Sequence, residues 1–360
     1  MAYTNIDDPS AYFQTKLWTG NGSTSTGITI TNDGNSDLQP DLIWNKQRTT
    51  ASHGLWDSSR GISRSLTANN SNAEQYNAGK GITSFNTNGF TGVKEGWVQF
   101  NRSAESYVAW QWKANGGTTS SNTEGNVTNT LQVNQDAGFS ISKFTSILSG
   151  NTTIGHGLGV TPDVFIVKIA SGAGGWWINH AGLTNQSDRY VGLHDLNGEQ
   201  TLSWGAAPTS TLITVAPPFI GNGTTTVMCY AFAEKQGYSK FGKYAGNGNA
   251  NGAFVYCGFK PAFIWIKATT TTTPAIIFDT TRNPFNLTDK KLLSTTDVSE
   301  NDAGSNSTGG ASANNLDILS NGFKLRTNTI GTNGASNSYI YMAFAESPFT
   351  TSTGIPTTAR

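Results

Sequence analysis

Pro40-Asp41-Leu42-Ile43-Trp44-Asn45-Lys46 decides how this chain is read, because it is written three times. It returns as Pro162-Asp163-Val164-Phe165-Ile166-Val167-Lys168 and as Pro261-Ala262-Phe263-Ile264-Trp265-Ile266-Lys267, with the interval from Pro to Lys unchanged. A run of aliphatic and aromatic residues after a Pro predicts a central strand buried on both faces. The Pro takes the first position, where a missing N–H is tolerated. The constant Lys predicts a solvated strand end, with a ligand contact as the alternative. The same neighbours recur around each copy, so the chain reads as a threefold tandem repeat.

Upstream, Gly20-Asn21-Gly22 and Gly246-Asn247-Gly248 are hairpin-type turn signals, with Gly150-Asn151 a looser version between them. Downstream, at a near-constant distance from the Pro, come Asp57, Asn179 and Asp279. Copies one and three continue as Asp57-Ser58-Ser59-Arg60 and Asp279-Thr280-Thr281-Arg282, whereas copy two has Gly182. The structural reading makes the Asp a turn former with the Arg folded back onto it. The functional reading makes the pair a repeated sugar-binding or catalytic site.

Asn88-Gly89 and Asn321-Gly322 lie between apolar residues and predict type I′ hairpins. Each copy closes on an alternating strand, carrying Trp110 and Trp112, then Tyr230 and Phe232, then Met342 and Phe344 at matching places. With large residues every second position, one face is core and the other is closely covered. No amphipathic helix is evident. The expected fold is therefore all-β: three tandem antiparallel β-sandwich modules of jelly-roll type. A concanavalin-like sandwich spanning one and a half copies is the alternative. The expected division is an arm over 1–11, modules over 12–114, 129–235 and 236–347, a linker over 115–128, and a tail over 348–360. The low-complexity stretch from Ser299 to Asn315 reads as a surface loop.

Only 13% of residues are charged, and 23 Lys and Arg balance 23 Asp and Glu. Nucleic-acid binding needs clustered cations to displace counterions, so no nucleic-acid partner is expected. No apolar run reaches the roughly 18 residues of a membrane helix, and no secretory signal opens the chain. Ten Trp, 18 Phe and 11 Tyr supply the core that a disordered chain lacks. Cys229 and Cys257 sit in apolar strand-like runs and read as buried free thiols, with a disulfide as the alternative.

Catalytic chemistry is hard to find. His53, His156, His180 and His194 show no metal-ligand spacing, so neither a metal nor a cofactor is expected. Gly155-His156-Gly157-Leu158-Gly159 lacks the Lys and helix of a phosphate loop. Two carboxylates could still converge from distant strands for glycoside hydrolysis, with Asp57, Asp279 and Glu234 the first to test. The expectation is nevertheless that the chain is no enzyme. Candidate ligand-binding residues are Asp57, Arg60, Asp279 and Arg282, together with Trp176 and Trp177 if exposed at a loop tip, with core burial of at least one of the two as the alternative.

The chain resembles a family of structural proteins from tailed bacteriophages of marine and cyanobacterial type. The resemblance rests on Ile6-Asp7-Asp8-Pro9-Ser10-Ala11-Tyr12-Phe13, Trp18-Thr19-Gly20-Asn21-Gly22, Trp56-Asp57-Ser58-Ser59-Arg60-Gly61, Ile154-Gly155-His156-Gly157-Leu158-Gly159 and Ala343-Phe344-Ala345-Glu346-Ser347-Pro348-Phe349. It implies a virion component such as a tail fibre, head fibre or capsid decoration protein, assembled in the host cytoplasm. It carries over no catalytic residues. The expected partners are other virion proteins, met through the N-terminal arm, further copies of the chain (a trimer among the options) and a host surface glycan. The alternatives are a lectin-like module and a polysaccharide-degrading enzyme.

Overall fold

A computed structural model describes residues 3–221, 223–300 and 315–357. It contains three large antiparallel sheets, each faced by a small one. Each large sheet has the same five strands in the same spatial order. In the first module these are Phe13–Thr19, Ser106–Trp112, Leu42–Gln47, His53–Asp57 and Arg64–Thr67. The second module repeats them as Phe139–Thr145, Thr226–Phe232, Val164–Ile169, Trp176–His180 and Arg189–Gly192. The third has Ser239–Ala245, Ser338–Pro348, Phe259–Ala268, Ile276–Asp279 and Leu292–Leu293. The Pro-led strand and the closing strand are neighbours at the middle of every sheet. All six residues of Leu42–Gln47 are buried, as a strand covered on both faces requires.

The period of two along the closing strands explains the burial. Trp110 and Trp112, Tyr230 and Phe232, and Met342 and Phe344 all enter one core shared by the three modules. The alternate residues turn towards each module's own small sheet. Ala109 joins a core with Ile43, Trp56 and Phe90; Cys229 and Ala231 join one with Trp204; Tyr341 and Ala343 join one with Cys257 and Phe323. Tandem sandwiches would have three separate cores. Here the large sheets instead pack back to back around a fourth. At its centre the rings of Trp112, Phe232 and Phe344, one per module, form a triangle with centroids 5.5–6.4 Å apart. The two cysteines lie in different module cores and are free, so no bridge joins them.

Several local expectations change. Gly20-Asn21-Gly22 and Gly246-Asn247-Gly248 are not hairpin turns, because each carries the chain from a large sheet to a small one. They are held by reciprocal amide pairs, Asn21 with Asn101 and Asn247 with Asn333. The two Asn-Gly hairpins do form, but their central residues are Thr87-Asn88 and Ser320-Asn321. None of these four has positive φ, so the turns are not type I′. Instead Gly89 begins the return strand at φ 101°, as in a turn followed by a bulge. A Cβ at Gly89 would lie 2.0 Å from the Ile30 carbonyl oxygen of the adjacent strand. Gly89→Ala is therefore expected to cost more than about 1 kcal/mol, measurable by denaturant unfolding. A neutral result would mean that the hairpin can relax away from its neighbour.

The 115–128 linker contains a strand of the second module, Ser120–Asn122, paired with Asn129–Asn134. From Tyr3 the N-terminal arm folds onto the third module. The Tyr3 hydroxyl donates to the Gly258 carbonyl (2.6 Å), Thr4 Oγ1 donates to the Gln236 carbonyl (2.7 Å), and Ile6 enters the shared core. Asp7 accepts from the backbone and side chain of Ser352 in the tail. The arm thus brings both chain ends together on one module. Most of the low-complexity loop, 301–314, lies outside the described residues.

Candidate functional site

The repeated polar residues meet at the three module interfaces, and they do so in rotation. Asp57 of the first module accepts a hydrogen bond from the Tyr230 hydroxyl of the second (2.6 Å). Asp279 of the third accepts from Trp110 Nε1 of the first (3.0 Å). At the interface between the second and third modules, His180 Nε2 bonds the Tyr341 carbonyl (3.1 Å). Strand register shows why His180 belongs in this set. Asp57 pairs with Leu42, Asp279 with Phe263 and His180 with Val164, each two residues beyond the repeat's Pro. Asn179, matched to the acids by distance along the sequence, is one place off and faces its own module, bonding Gln186.

The exchange of acid for His follows its neighbour. Trp110 and Tyr230 present donors, which a carboxylate accepts. Their counterpart Met342 presents none, and His180 reaches past it to a backbone carbonyl. The backbone N–H of Gly182 donates to His180 Nδ1 (2.8 Å), so the ring proton is on Nε2. With no anion at this place, the Arg that accompanies Asp57 and Asp279 has no role, and the third residue after His180 is Leu183, which enters the shared core.

The two Asp-Arg units are near copies. Arg60 Nε donates to Asp57 (2.5 Å), its backbone N–H donates to the same carboxylate (2.8 Å), and its remaining nitrogens reach Glu74 (3.1 Å) and the Leu55 carbonyl (3.0 Å). Arg282 makes the same contacts with Asp279 (2.6 and 2.7 Å), Glu300 (3.1 Å) and the Ile277 carbonyl (3.1 Å). Both Arg side chains are at most 2% exposed. Burial disfavours the Arg60 charge, but Asp57, Tyr230 and Glu74 more than offset this and hold its pKa above the ordinary value. Burial also raises Glu300, yet Arg48 and Arg282 bring it below the usual carboxylate range. The polar atoms of these units bond chiefly to one another, and Arg60 and Glu74 also border a polar surface pocket with Arg64, Lys143 and Thr226. They join modules.

The constant lysines are not solvated. Lys46, Lys168 and Lys267 are fully buried, because each ammonium is the common donor to carbonyls of its own loop and of the next module's. Lys46 bonds Gln47, Thr49 and, at 3.5 Å, Asp297; Lys168 bonds Gly174 and Ser71; Lys267 bonds Thr273 and Asp195. Burial lowers their pKa to about 7, 8 and 8 respectively. Beside them the amides of Glu300, Glu74 and Glu199 donate to the carbonyls of Arg48, Ala170 and Thr269, each two residues past a repeat Lys. The modules are thus stitched by equivalent contacts running the same way around a ring with approximate threefold symmetry.

The remaining candidates are also accounted for. Trp176 is 1% exposed in the shared core, and its Nε1 donates to the Thr67 carbonyl of the first module (2.8 Å). Trp177 faces the other way, half-buried against Tyr190, His194 and Phe219. The two rings therefore lie on opposite faces of one strand and make no common platform. Glu234 pairs with Lys240 (2.7 Å), away from Asp57 and Asp279, which belong to two different interfaces. No cluster of metal-ligating side chains occurs among the described residues.

His53 and His180 give these interfaces a pH dependence. His53 Nδ1 accepts from Trp44 Nε1 (3.0 Å), so its Nε2 donates to the Leu293 carbonyl of the third module (2.8 Å). Burial holds His53 well below its ordinary pKa and lowers His180 to about 4. The unfolded chain therefore binds more protons than the folded one between about pH 4 and 6.5. The histidines' contribution to stability is fully present above pH 6.5 and falls as the pH falls through this window. The expected loss from His180 alone is on the order of 3 kcal/mol. Guanidinium unfolding at pH 7, 5 and 4 measures it, and His180→Gln should flatten the slope; an unchanged slope would contradict the assignment.

The family model described as "Domain of unknown function (DUF7483)" matches residues 8–348, which takes in all three modules. No curated protein and no solved structure matches the chain.

Proposed function

The chain belongs to the DUF7483 family, and we propose that this member is a structural component of a tailed-phage particle, a fibre or capsid decoration protein. It works by docking to other virion proteins and presenting its loops, without turnover. The observation that carries this reading is the use of the repeats' conserved-spacing chemistry. The Asp-Arg units, the constant lysines, His53 and His180 all join one module to another. Three modules joined around one shared core suit a component built into a larger particle. The resemblance of its Trp-Asp-Ser-Ser-Arg and Trp-Thr-Gly-Asn-Gly segments to phage structural proteins supports the same reading.

Cryo-electron microscopy of intact particles, with mass spectrometry of their proteins, tests it. Density for this ring on the capsid lattice makes it a decoration or head-fibre protein, and density on the tail makes it an adsorption component. Absence from purified particles overturns the proposal.

A glycan-binding role is favoured by a different observation from the one that suggested Trp176 and Trp177. Phe254 and Tyr256 lie two apart on one face of an edge strand of the third module's small sheet, 46% and 54% exposed. Tyr256 stands opposite Gly322, which has no side chain to cover it. Aromatic faces so presented stack on sugar rings. Binding on a host-glycan array that Phe254→Ala and Tyr256→Ala abolish would establish this role, and no binding by the intact chain would remove it.

A further inference from the structure

The three large sheets do not fill the space where they meet. A cavity of about 30 Å³ lies in the shared core, walled by Leu42 and Trp44 of the first module, Ile166 and Tyr230 of the second, and Trp265 and Met342 of the third. By the same measure, the space open to the centre of a water-sized sphere, roughly 10–15 Å³ holds one water molecule. The cavity has the room. It lacks the partners.

Only apolar atoms face the void. The polar atoms of its aromatic walls are turned away and satisfied elsewhere. Trp44 Nε1 donates to His53 (3.0 Å), the Tyr230 hydroxyl to Asp57 (2.6 Å), and Trp265 Nε1 to Ser294 Oγ (3.0 Å). A water molecule inside would find none of the two to four hydrogen-bond partners it needs, so such a cavity stays dry. The walls also resist collapse, because each belongs to a sheet that is covered on its other face by a module core.

We propose that this cavity is a binding site for a single small apolar guest, of the class of a noble-gas atom, a short hydrocarbon or a halocarbon. The guest gains dispersion contacts with all three modules at once, contacts that wall atoms facing a void forgo. Ile166 is the one of these wall residues that is only partly buried, and the guest is placed beside it. Because every module contributes walls, the site exists only in the closed ring. The inference does not depend on the proposed virion role.

Crystals of the full chain under xenon pressure test it. The expected result is one anomalous peak between Ile166, Trp265 and Met342, absent from Ile166→Phe, whose ring fills the space. No peak at that place in the wild-type crystal, or ordered water density within the cavity, overturns the proposal. Should Ile166→Phe fail to fold, dichloromethane added to xenon-loaded wild-type crystals supplies the second reading. Loss of the xenon peak with dichloromethane in its place supports a single apolar site. Retention of the full xenon peak with dichloromethane elsewhere contradicts it.

Discussion

Arg282→Met is expected to lower the free energy of unfolding by about 3–5 kcal/mol, the cost of leaving a buried charge without its partner. Asp279 is fully buried, and after the substitution its carboxylate keeps the Trp110 indole and the Arg282 backbone N–H but loses the guanidinium (2.6 Å). Glu300 loses one of its two cationic partners in the same step and retains Arg48 (2.6 Å). The double variant Asp279→Leu/Arg282→Met separates pairing from packing. Replacing both members of a buried pair by apolar groups is often close to neutral, and here Trp110 Nε1 is left without an acceptor at about 1–3 kcal/mol. The double variant should therefore be more stable than the single one. A loss below about 1 kcal/mol for Arg282→Met would place the pair with solvent-exposed ion pairs and contradict its role as an interface pin.

Phe344→Ala should also cost about 3–5 kcal/mol, the range for removing a large ring from a core that cannot collapse around the gap. The Phe344 ring lies 5.4 Å from Phe13, 5.5 Å from Trp112, 5.6 Å from Phe241, 5.8 Å from Phe232, 5.9 Å from Tyr238 and 6.1 Å from Phe263. Those neighbours come from all three modules, so the loss should weaken the whole ring and not the third module alone. Urea unfolding followed separately by tryptophan fluorescence and far-ultraviolet circular dichroism measures both points. Coincident curves shifted to lower urea are expected. A shift confined to part of the signal would show that the modules melt independently.

The repeat, its strands and the turn role of Asp57 and Asp279 are legible in the sequence because they follow local rules. Alternation of large and small residues at Trp110 and Trp112, or Tyr230 and Phe232, announces a strand covered on both faces. It does not say that the second cover is another module. That is why three separate sandwich cores are the natural expectation and a fourth, shared core is the outcome.

The same limit explains the lysines. A charged residue ending a strand is ordinarily solvated, and here carbonyls of its own loop together with those of another module, at Asp297, Ser71 and Asp195, make burial of Lys46, Lys168 and Lys267 tolerable. A constant Lys closing an otherwise apolar strand was a visible signal of this, though its partners lie in loops of no fixed spacing. The role of His180 is hidden in the sequence for a different reason. Distance from the Pro matches Asn179 to Asp57, whereas the pairing register, which the sequence does not show, matches His180. Aromatics are no better guides to exposure. Trp176 and Trp177 look like a platform as adjacent residues, yet neighbours in a strand point to opposite faces.

The three sequence repeats form one interlocked unit around a shared core. Differential scanning calorimetry of the full chain checks this. A single transition is expected, with a van't Hoff enthalpy equal to the calorimetric enthalpy. Two or three resolved transitions, or a van't Hoff enthalpy well below the calorimetric value, would mean that the modules unfold separately and would contradict it.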